Sequence, residues 1–225
     1  MNIVLTREAG KNDDAMAWLP GNASVVEVPL TTTNYFAIDE VTRQLQASPD
    51  YGKFCVLVVT SSRTADYIHA VLGAMAENAD LLTVGTSTTR ALRDHGVIVS
   101  AEATSSALEL EGVISQGPVL MVGAVVLREE LSNELQARDI SVTKVACYET
   151  LPVELDDEQV NTLRVADVVF IGAPSAWSVA RTLVSDQAWV VVPGPTTRQV
   201  VAEDHERVLV GWGPSMGDSL ASLYP

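Results

Sequence analysis

The stretch VGTSTTRAL, residues 84–92, runs from an apolar, strand-like segment through glycine and small hydroxyl residues into a helix-like segment. About half a chain later, VPGPTTRQV (residues 192–200) repeats this order of residue types. In a parallel sheet, such a turn joins the carboxyl end of a strand to the amino end of the next helix. The two copies therefore predict an α/β protein that uses the same kind of turn in two places.

Short runs of valine, isoleucine and leucine alternate along the chain with amphipathic segments, which is typical of strand–helix–strand units and a parallel sheet. A stripe through Ala65, Ile68, Leu72, Met75 and Ala79 predicts one of the helices. Ten runs predict strands: NIVL, SVVEVP, FCVLVVT, LLTVG, VIVS, PVLMVG, SVTKVACYE, DVVFIG, WVVVPG and RVLVGW.

Two extended segments, residues 29–38 and 144–155, interrupt the alternation and predict two crossings between domains. We expect a discontinuous first domain of residues 1–31 and 152–225 and a second domain of residues 38–146. Each would be a doubly wound parallel sheet of the flavodoxin or Rossmann kind, covered by helices on both faces. Residues 32–37 and 147–151 would form a two-stranded connector.

The composition argues against several function classes. Fourteen basic and 29 acidic residues give a formal net charge of −15, which disfavours a general binder of nucleic acids or anionic membranes. Cys55 and Cys147 stand alone in apolar runs, as buried thiols in a reducing compartment do. The amino terminus has no signal-peptide pattern, and no apolar run approaches a membrane span, so we expect a soluble, cytoplasmic protein.

Turns rich in glycine, serine and threonine follow the predicted strands. Backbone N–H groups at helix starts, with hydroxyls beside them, favour anions, and ligands of open α/β sheets gather at these ends. Capping of the helices alone also explains such residues. The turns contain Arg7, Thr60, Ser61, Ser62, Thr86, Thr88, Ser175, Thr196, Thr197 and Ser215.

The common catalytic motifs are missing. There is no GxGxxG after the first strand, no GxxxxGK[ST], no HExxH and no GxSxG. These absences argue against dinucleotide and P-loop nucleotide binding, and an enzyme on this scaffold would act by positioning and hydrogen bonding more than by a triad or a metal. Tyr148, in the second crossing, is either a packing aromatic or a hydroxyl donor that faces a ligand.

In order and spacing, these motifs resemble the uroporphyrinogen-III synthase family over essentially the whole chain. The resemblance is carried by Thr6-Arg7 after the first strand and by VVTSSRTA, VGTSTTRAL, PVLMVGA, VACYET, VVFIGAPSA, VPGPTTR and the Pro214-Ser215 helix start. The sequence departs from the family pattern at Ser62, where a proline is usual, and at Glu8.

The resemblance implies two α/β domains and cyclisation of hydroxymethylbilane, a linear tetrapyrrole with eight carboxylates, to uroporphyrinogen III. The last pyrrole is inverted and water is lost, and the resemblance implies that no cofactor is needed. The resemblance places the substrate-binding turns on Ser61, Ser62, Thr88, Ser175, Thr196 and Thr197. Gly123 of the PVLMVGA motif would be a further substrate-binding residue. Tyr148 falls on the connector tyrosine, which would assist departure of the hydroxyl.

The partner implied is this small-molecule substrate, with no nucleic acid and no membrane. We expect a monomer that contacts the enzyme supplying hydroxymethylbilane only transiently. Two alternatives stay open from the residues alone. One is a two-domain binding or sensor protein for a small polyanionic metabolite. The other is an enzyme that handles nucleotides or phosphosugars.

Overall fold

The computed structural model describes residues 1–104, 106–211 and 220, except for the side chain of Asp14. The chain divides into two compact units. Unit 1 consists of Met1–Thr32 and Thr150–Pro225, and unit 2 of Thr33–Glu149. Within the described residues, no helix is long and apolar enough to cross a membrane.

Strands and helices alternate along most of the chain. Short 3₁₀ segments, Ser62–Tyr67 and Ala107–Leu110, stand in two of the connections. In chain order the elements are β1 (Asn2–Leu5), α1 (Asp13–Met16), β2 (Ser24–Glu27), β3 (Thr31–Tyr35), α2 (Ile38–Gln46), β4 (Phe54–Val59), α3 (Ile68–Leu72), β5 (Met75–Val84), α4 (Thr86–Asp94), β6 (Ala101–Ala103), β7 (Val119–Ala124), α5 (Glu130–Ala137), β8 (Val142–Pro152), α6 (Asp157–Arg164), β9 (Val168–Phe170), α7 (Pro174–Ala180), β10 (Trp189–Val192), α8 (Pro195–Val201) and β11 (Val208–Val210).

Each unit is built on one parallel sheet. Unit 1 has the order β11-β10-β9-β1-β2, and all four of its strand pairs are parallel. Unit 2 has the order β3-β8-β7-β4-β5-β6, in which the pairs from β8 to β6 are parallel. The strands β9, β10, β11, β1 and β2 of unit 1 correspond, in this order, to β4, β5, β6, β7 and β8 of unit 2. With this correspondence, the two sheets have the same order of strands. The units therefore share one sheet plan with a circularly permuted chain order.

Alternating apolar residues give each sheet two buried faces. In β1, Val4 belongs to one hydrophobic cluster while Ile3 and Leu5 belong to another. In β4, Leu57 packs in one cluster and Val58 in the other. Because successive side chains of a strand point to opposite faces, strands that are apolar throughout require cover on both sides. The clusters include residues of α2, α3 and α4 on one face of unit 2 and of α5 on the other.

The two strands β3 and β8 carry the chain between the units. The N–H of Val153 donates to the carbonyl of Leu30 at 3.0 Å, and the N–H of Phe36 donates to that of Cys147 at 3.0 Å. Residue numbers rise along β3 while those of the bonded residues fall along β8, so these two strands are antiparallel. The predicted fold class, two doubly wound parallel sheets with a discontinuous first part, is confirmed by this architecture.

Two local predictions were wrong. Residues 97–100, VIVS, form no strand, because Gly96 at φ +76 closes α4 and the N–H of Val97 bonds back to the carbonyl of Leu92 at 3.1 Å. Strand pairing begins only at Ala101, opposite Leu82. The predicted helix through Ala79 was also wrong, because α3 ends at Leu72 and the strand β5 begins at Met75. Pairing of β5 with β4, at Met75 opposite Phe54 and at Asp80 opposite Val56, decides the structure there.

Candidate functional site

Both sheets have a point where the chain reverses its direction of winding. In unit 2 this switch point lies between β4 and β7, and in unit 1 it lies between β9 and β1. At a switch point the connections leave toward opposite faces, so a crevice forms outside the carboxyl ends of the two strands. These two edges are therefore the places where the described geometry favours ligand binding.

The switch point of unit 2 is held by a threonine and a glycine. The Thr60 hydroxyl, just after β4, donates to the carbonyl of Val122 in β7 at 3.3 Å. Gly123 is buried, and a Cβ there would stand 2.5 Å from Thr60 Oγ1 and 2.6 Å from Leu127 Cδ2. Only glycine allows this close approach. Gly123 thus shapes the edge by its lack of a side chain.

A pocket of about 280 Å³ opens at this edge of unit 2. Strand ends and the loop after β7 form it together, so its wall combines apolar side chains with hydroxyl and guanidinium groups. Its lining includes Thr60, Met121, Val126, Leu127, Arg128 and Tyr148.

Tyr148 contributes its side chain to this pocket from β8. The residue is only 5% exposed, and its ring lies 6.1 Å from that of Tyr35 and 5.6 Å from the Arg63 guanidinium carbon. Its hydroxyl has no hydrogen-bond partner among residues 1–104 and 106–211. Every fully enclosed side-chain oxygen in the described part of the chain does have a partner, so this hydroxyl reaches accessible space.

A second buried tyrosine of unit 2 is satisfied internally. Tyr67 is 4% exposed, and its hydroxyl donates to the carbonyl of Phe36 at 2.6 Å. Burial raises the pKa of Tyr67, and the neighbouring Cys147 adds to this rise. Tyr67 is therefore a packing residue, in contrast to Tyr148.

The serines after β4 differ in what their hydroxyls do. Ser61 caps the 3₁₀ segment, since its hydroxyl accepts from the Arg63 N–H at 3.2 Å. Its carbonyl accepts from the Thr64 hydroxyl at 2.6 Å. Ser62 is exposed at the start of that segment. Capping thus accounts for Ser61, whereas Ser62 is accessible to a ligand.

The two Thr-Thr-Arg copies occupy different positions in their helices. α4 begins two residues before Thr88, whereas α8 begins one residue before Thr196. Thr88 therefore matches Thr197, and both are buried, at 2% and 5% exposure. Neither hydroxyl has a hydrogen-bond partner in the part of the chain that the structure describes. Thr86 and Thr196 are exposed in the first turns of the two helices.

The switch point of unit 1 repeats the threonine–glycine pair with the strands exchanged. The buried Thr6 hydroxyl, after β1, donates to the carbonyl of Phe170 in β9. Gly172, after β9, faces the Arg7 side chain, since a Cβ there would stand 3.1 Å from Arg7 Cγ. The half-buried Arg7 thus packs its methylene groups against this glycine.

Ser175 is exposed near the start of α7 and lines a separate pocket of about 350 Å³ in unit 1. Thr31, Thr150 and Ser178 also contribute hydroxyls to this pocket. Pro174 opens α7 and Pro195 opens α8, which leaves one N–H fewer at each helix start. Ser215, the last predicted binding residue, lies outside the described residues.

Arg128 and Val126 line the unit 2 pocket, although the sequence did not single them out. The signal was their place in the loop that follows the strand run PVLMVGA, at the end of a central strand. The carboxylate of Glu129, the next residue, accepts hydrogen bonds from Lys144 and Ser132, and these bonds lower the pKa of the Glu129 carboxyl group.

Among the described residues, no cluster of histidine, cysteine or acidic side chains could hold a metal ion.

The strand orders define a doubly wound α/β protein with two units, and hydroxyl, amide and guanidinium groups lie at its two switch-point edges. A family model described as uroporphyrinogen-III synthase HemD matches residues 21–219. The chain belongs to the uroporphyrinogen-III synthase family.

Solved structures agree on the fold. A mutant uroporphyrinogen III synthase from the extremely thermophilic bacterium Thermus thermophilus has 17% identity and a TM-score of 0.69, with 99% of this chain and 97% of that chain covered. The uroporphyrinogen-III synthetase from Helicobacter pylori 26695 has 16% identity and a TM-score of 0.64, with 100% and 99% covered. Among proteins with curated descriptions, none matches this chain. The family match does not favour the alternative of a binding or sensor protein.

Proposed function

We propose that this chain cyclises hydroxymethylbilane to uroporphyrinogen III, with inversion of the last pyrrole ring and loss of water, in tetrapyrrole biosynthesis. The observation that carries the proposal is the family match over residues 21–219. The electron-rich pyrroles supply most of the reactivity, so the task of the protein is to hold the linear chain in the inverting geometry. Uncatalysed closure gives the uninverted isomer, which makes the reaction a problem of selectivity.

Tyr148 acts in this proposal as the donor that assists departure of the terminal hydroxyl. Tyr148 lines the unit 2 pocket, and its hydroxyl has no partner among residues 1–104 and 106–211, which supports this role. Proton donation to the leaving hydroxyl forms water and leaves the azafulvenium cation. Attack by the substituted carbon of the last ring then gives a spiro intermediate, which fragments and recloses as the inverted ring. The proton released from the ring carbon on reclosure restores the Tyr148 phenol.

The substrate carboxylates are bound by hydroxyls and by N–H groups at strand ends. Hydrogen bonds to charged groups are worth about 1.5–3 kcal/mol each, so several offset the repulsion from an acidic protein. The binding residues in this proposal are Arg7, Thr60, Ser61, Ser62, Thr86, Thr88, Gly123, Ser175, Thr196, Thr197 and Ser215. Thr60 and Gly123 act by shaping the pocket, which their contact in the unit 2 edge supports.

We also propose domains of residues 1–31 with 152–225 and of residues 38–146, connected by residues 32–37 and 147–151. The enzyme works as a cytoplasmic monomer that requires no cofactor and contacts the enzyme supplying hydroxymethylbilane only transiently. Sedimentation of the purified chain is expected to give the monomer mass at micromolar concentration.

The decisive experiment supplies the purified full-length chain with freshly made hydroxymethylbilane. Products are oxidised to porphyrins and the isomers are separated by chromatography. We expect isomer III to dominate at a rate well above the blank. Heat-denatured protein and a protein-free sample serve as controls. Formation of isomer I alone, at the blank rate, would falsify the proposal, and calorimetric binding without turnover would indicate the sensor alternative.

A further inference from the structure

The loop after β7 places a cation at the unit 2 pocket. Arg128 lines this pocket together with Tyr148, and its side chain is exposed. The loop leaves the sheet at the switch point, directly after Gly123 and Ala124. Arg128 therefore stands where a ligand at the carboxyl ends of β4 and β7 would pass.

The guanidinium of Arg128 has no hydrogen bond or ion pair within residues 1–104 and 106–211. Several other arginines in the described part of the chain use theirs internally. Arg138 donates to the carbonyls of Glu111 and Ile114, and Arg207 donates to that of Gln187. A guanidinium presents a planar fork of donors that matches a carboxylate, so Arg128 is suited to bind one.

The residue after Arg128 is fixed to the sheet. Glu129 contacts the ammonium group of Lys144 on β8, and its carboxylate also accepts from the Ser132 hydroxyl at 3.2 Å. The same hydroxyl donates to the Glu129 carbonyl at 2.9 Å. Lys144 and Tyr148 lie on the same strand, so the contact ties the loop of Arg128 to the strand of Tyr148.

We propose that Arg128 binds one carboxylate of the substrate in the unit 2 pocket, and that the Glu129–Lys144 pair is a positioning element that holds the Arg128 loop. The inference rests on the proposed function for the identity of the carboxylated substrate. Arg128 is a binding residue, whereas Glu129 and Lys144 act through it.

The first test is Arg128→Gln, with Arg93→Gln as the matched control. Arg93 is also exposed in unit 2, but it does not line the pocket, and the change in net charge is identical. We expect KM for hydroxymethylbilane to rise about tenfold for Arg128→Gln with kcat nearly unchanged, as loss of a charge-assisted hydrogen bond predicts. Arg93→Gln is expected to stay within about twofold of the wild-type KM. Equal KM values for the two variants would overturn the inference.

The second test asks whether Lys144 acts through Arg128. We expect Lys144→Met to raise KM about threefold in the wild-type background and to have no effect in the Arg128→Gln background. Lys53→Met, which removes an exposed lysine bonded to the Pro49 carbonyl, is the control and should not change KM. A Lys144 effect that persists without Arg128 would indicate a structural role and remove the positioning part of the proposal.

Calorimetric binding of uroporphyrin III, an octacarboxylate probe, separates this inference from the proposed function. Arg128→Gln should weaken its binding about tenfold, whereas Arg93→Gln should not. If wild-type protein forms no isomer III while binding still depends on Arg128, the proposed function fails and the carboxylate site stands. If isomer III forms and binding is the same in all variants, only the carboxylate site fails.

Discussion

The two switch points use the same parts in opposite positions. In unit 2 the threonine follows β4 and the glycine ends the facing strand β7, whereas in unit 1 Thr6 follows β1 and Gly172 follows the facing strand β9. In both, the threonine hydroxyl bonds a carbonyl of the facing strand. The surroundings differ, because Thr60 and Leu127 pack directly against Gly123 in unit 2, whereas Gly172 in unit 1 faces the longer side chain of Arg7.

The two edges also differ in the kinds of side chain that they present. The unit 2 edge offers reactive or charged side chains, Tyr148 and Arg128, in a pocket. The unit 1 edge offers exposed hydroxyls at helix starts, at Ser175 and Thr196. Both cysteines lie in unit 2 and all four tryptophans lie in unit 1, so thiol labelling and tryptophan fluorescence report on the two units separately.

The largest expected effect comes from adding a methyl group at Gly123. Gly123→Ala forces a Cβ to within 2.6 Å of both Thr60 Oγ1 and Leu127 Cδ2. We expect a loss of about 1–3 kcal/mol in the free energy of unfolding of unit 2, as overpacking typically causes, together with loss of isomer III formation. Urea unfolding followed by thiol labelling measures the first effect.

Gly172→Ala is the matched variant in unit 1. Its Cβ would meet Arg7 Cγ at 3.1 Å, and a long flexible side chain can move aside. We expect a shift of less than about 1 kcal/mol in unfolding followed by tryptophan fluorescence. Equal destabilisation by both variants would contradict the distinction between a tightly packed glycine in unit 2 and a glycine that faces a movable side chain in unit 1.

A smaller effect is expected from removing one tyrosine hydroxyl. Tyr148→Phe should lower turnover to isomer III about tenfold, or about 1.4 kcal/mol, with little change in stability, because no hydrogen bond within the described residues is lost. Tyr67→Phe loses the bond to the Phe36 carbonyl, so it should cost about 1 kcal/mol of stability and leave turnover unchanged. Steady-state kinetics and urea unfolding measure both variants. An unaltered rate for Tyr148→Phe would make Tyr148 a packing residue like Tyr67.

The smallest effect at neutral pH concerns a buried thiol of unit 2. Burial raises the pKa of Cys147 from 9.0 to about 12. The folded state then binds the thiol proton more tightly than the unfolded state, so this contribution to stability is complete below pH 9 and is lost as pH rises toward 12. We expect Cys147→Ala to flatten the pH dependence of unit 2 unfolding in this range. The same slope in both proteins would show that Cys147 is not its source.

Much of the fold could be predicted because the strands of a parallel sheet are apolar on both faces. Residues 54–59, 119–124 and 168–170 are continuous apolar runs, and such runs need little context to form buried strands. Residues 75–80 were misjudged, because the helical spacing of Met75 and Ala79 is outweighed by pairing with β4. Period alone does not settle short segments whose partners are distant in sequence.

The residues of the candidate site could likewise be predicted only in part. The turns at Ser62, Thr86, Ser175 and Thr196 could be predicted as accessible, because glycine, serine and threonine after an apolar strand indicate a helix start. Arg128 could not, because its role depends on which strand ends are neighbours. The alignment of Thr88 with Thr197 also required the observed starts of α4 and α8.

The sequence by itself determined most of the elements, the parallel sheets, the two crossings and the family resemblance, because these depend on local patterning and on the order of motifs. The tertiary structure alone decided the permuted strand orders, the exchange of threonine and glycine at the switch points, and the residues that surround Tyr148. Those features depend on contacts between residues far apart in the chain. VGTSTTRAL and VPGPTTRQV thus predict two helix starts, while packing decides which of their hydroxyls a ligand can reach.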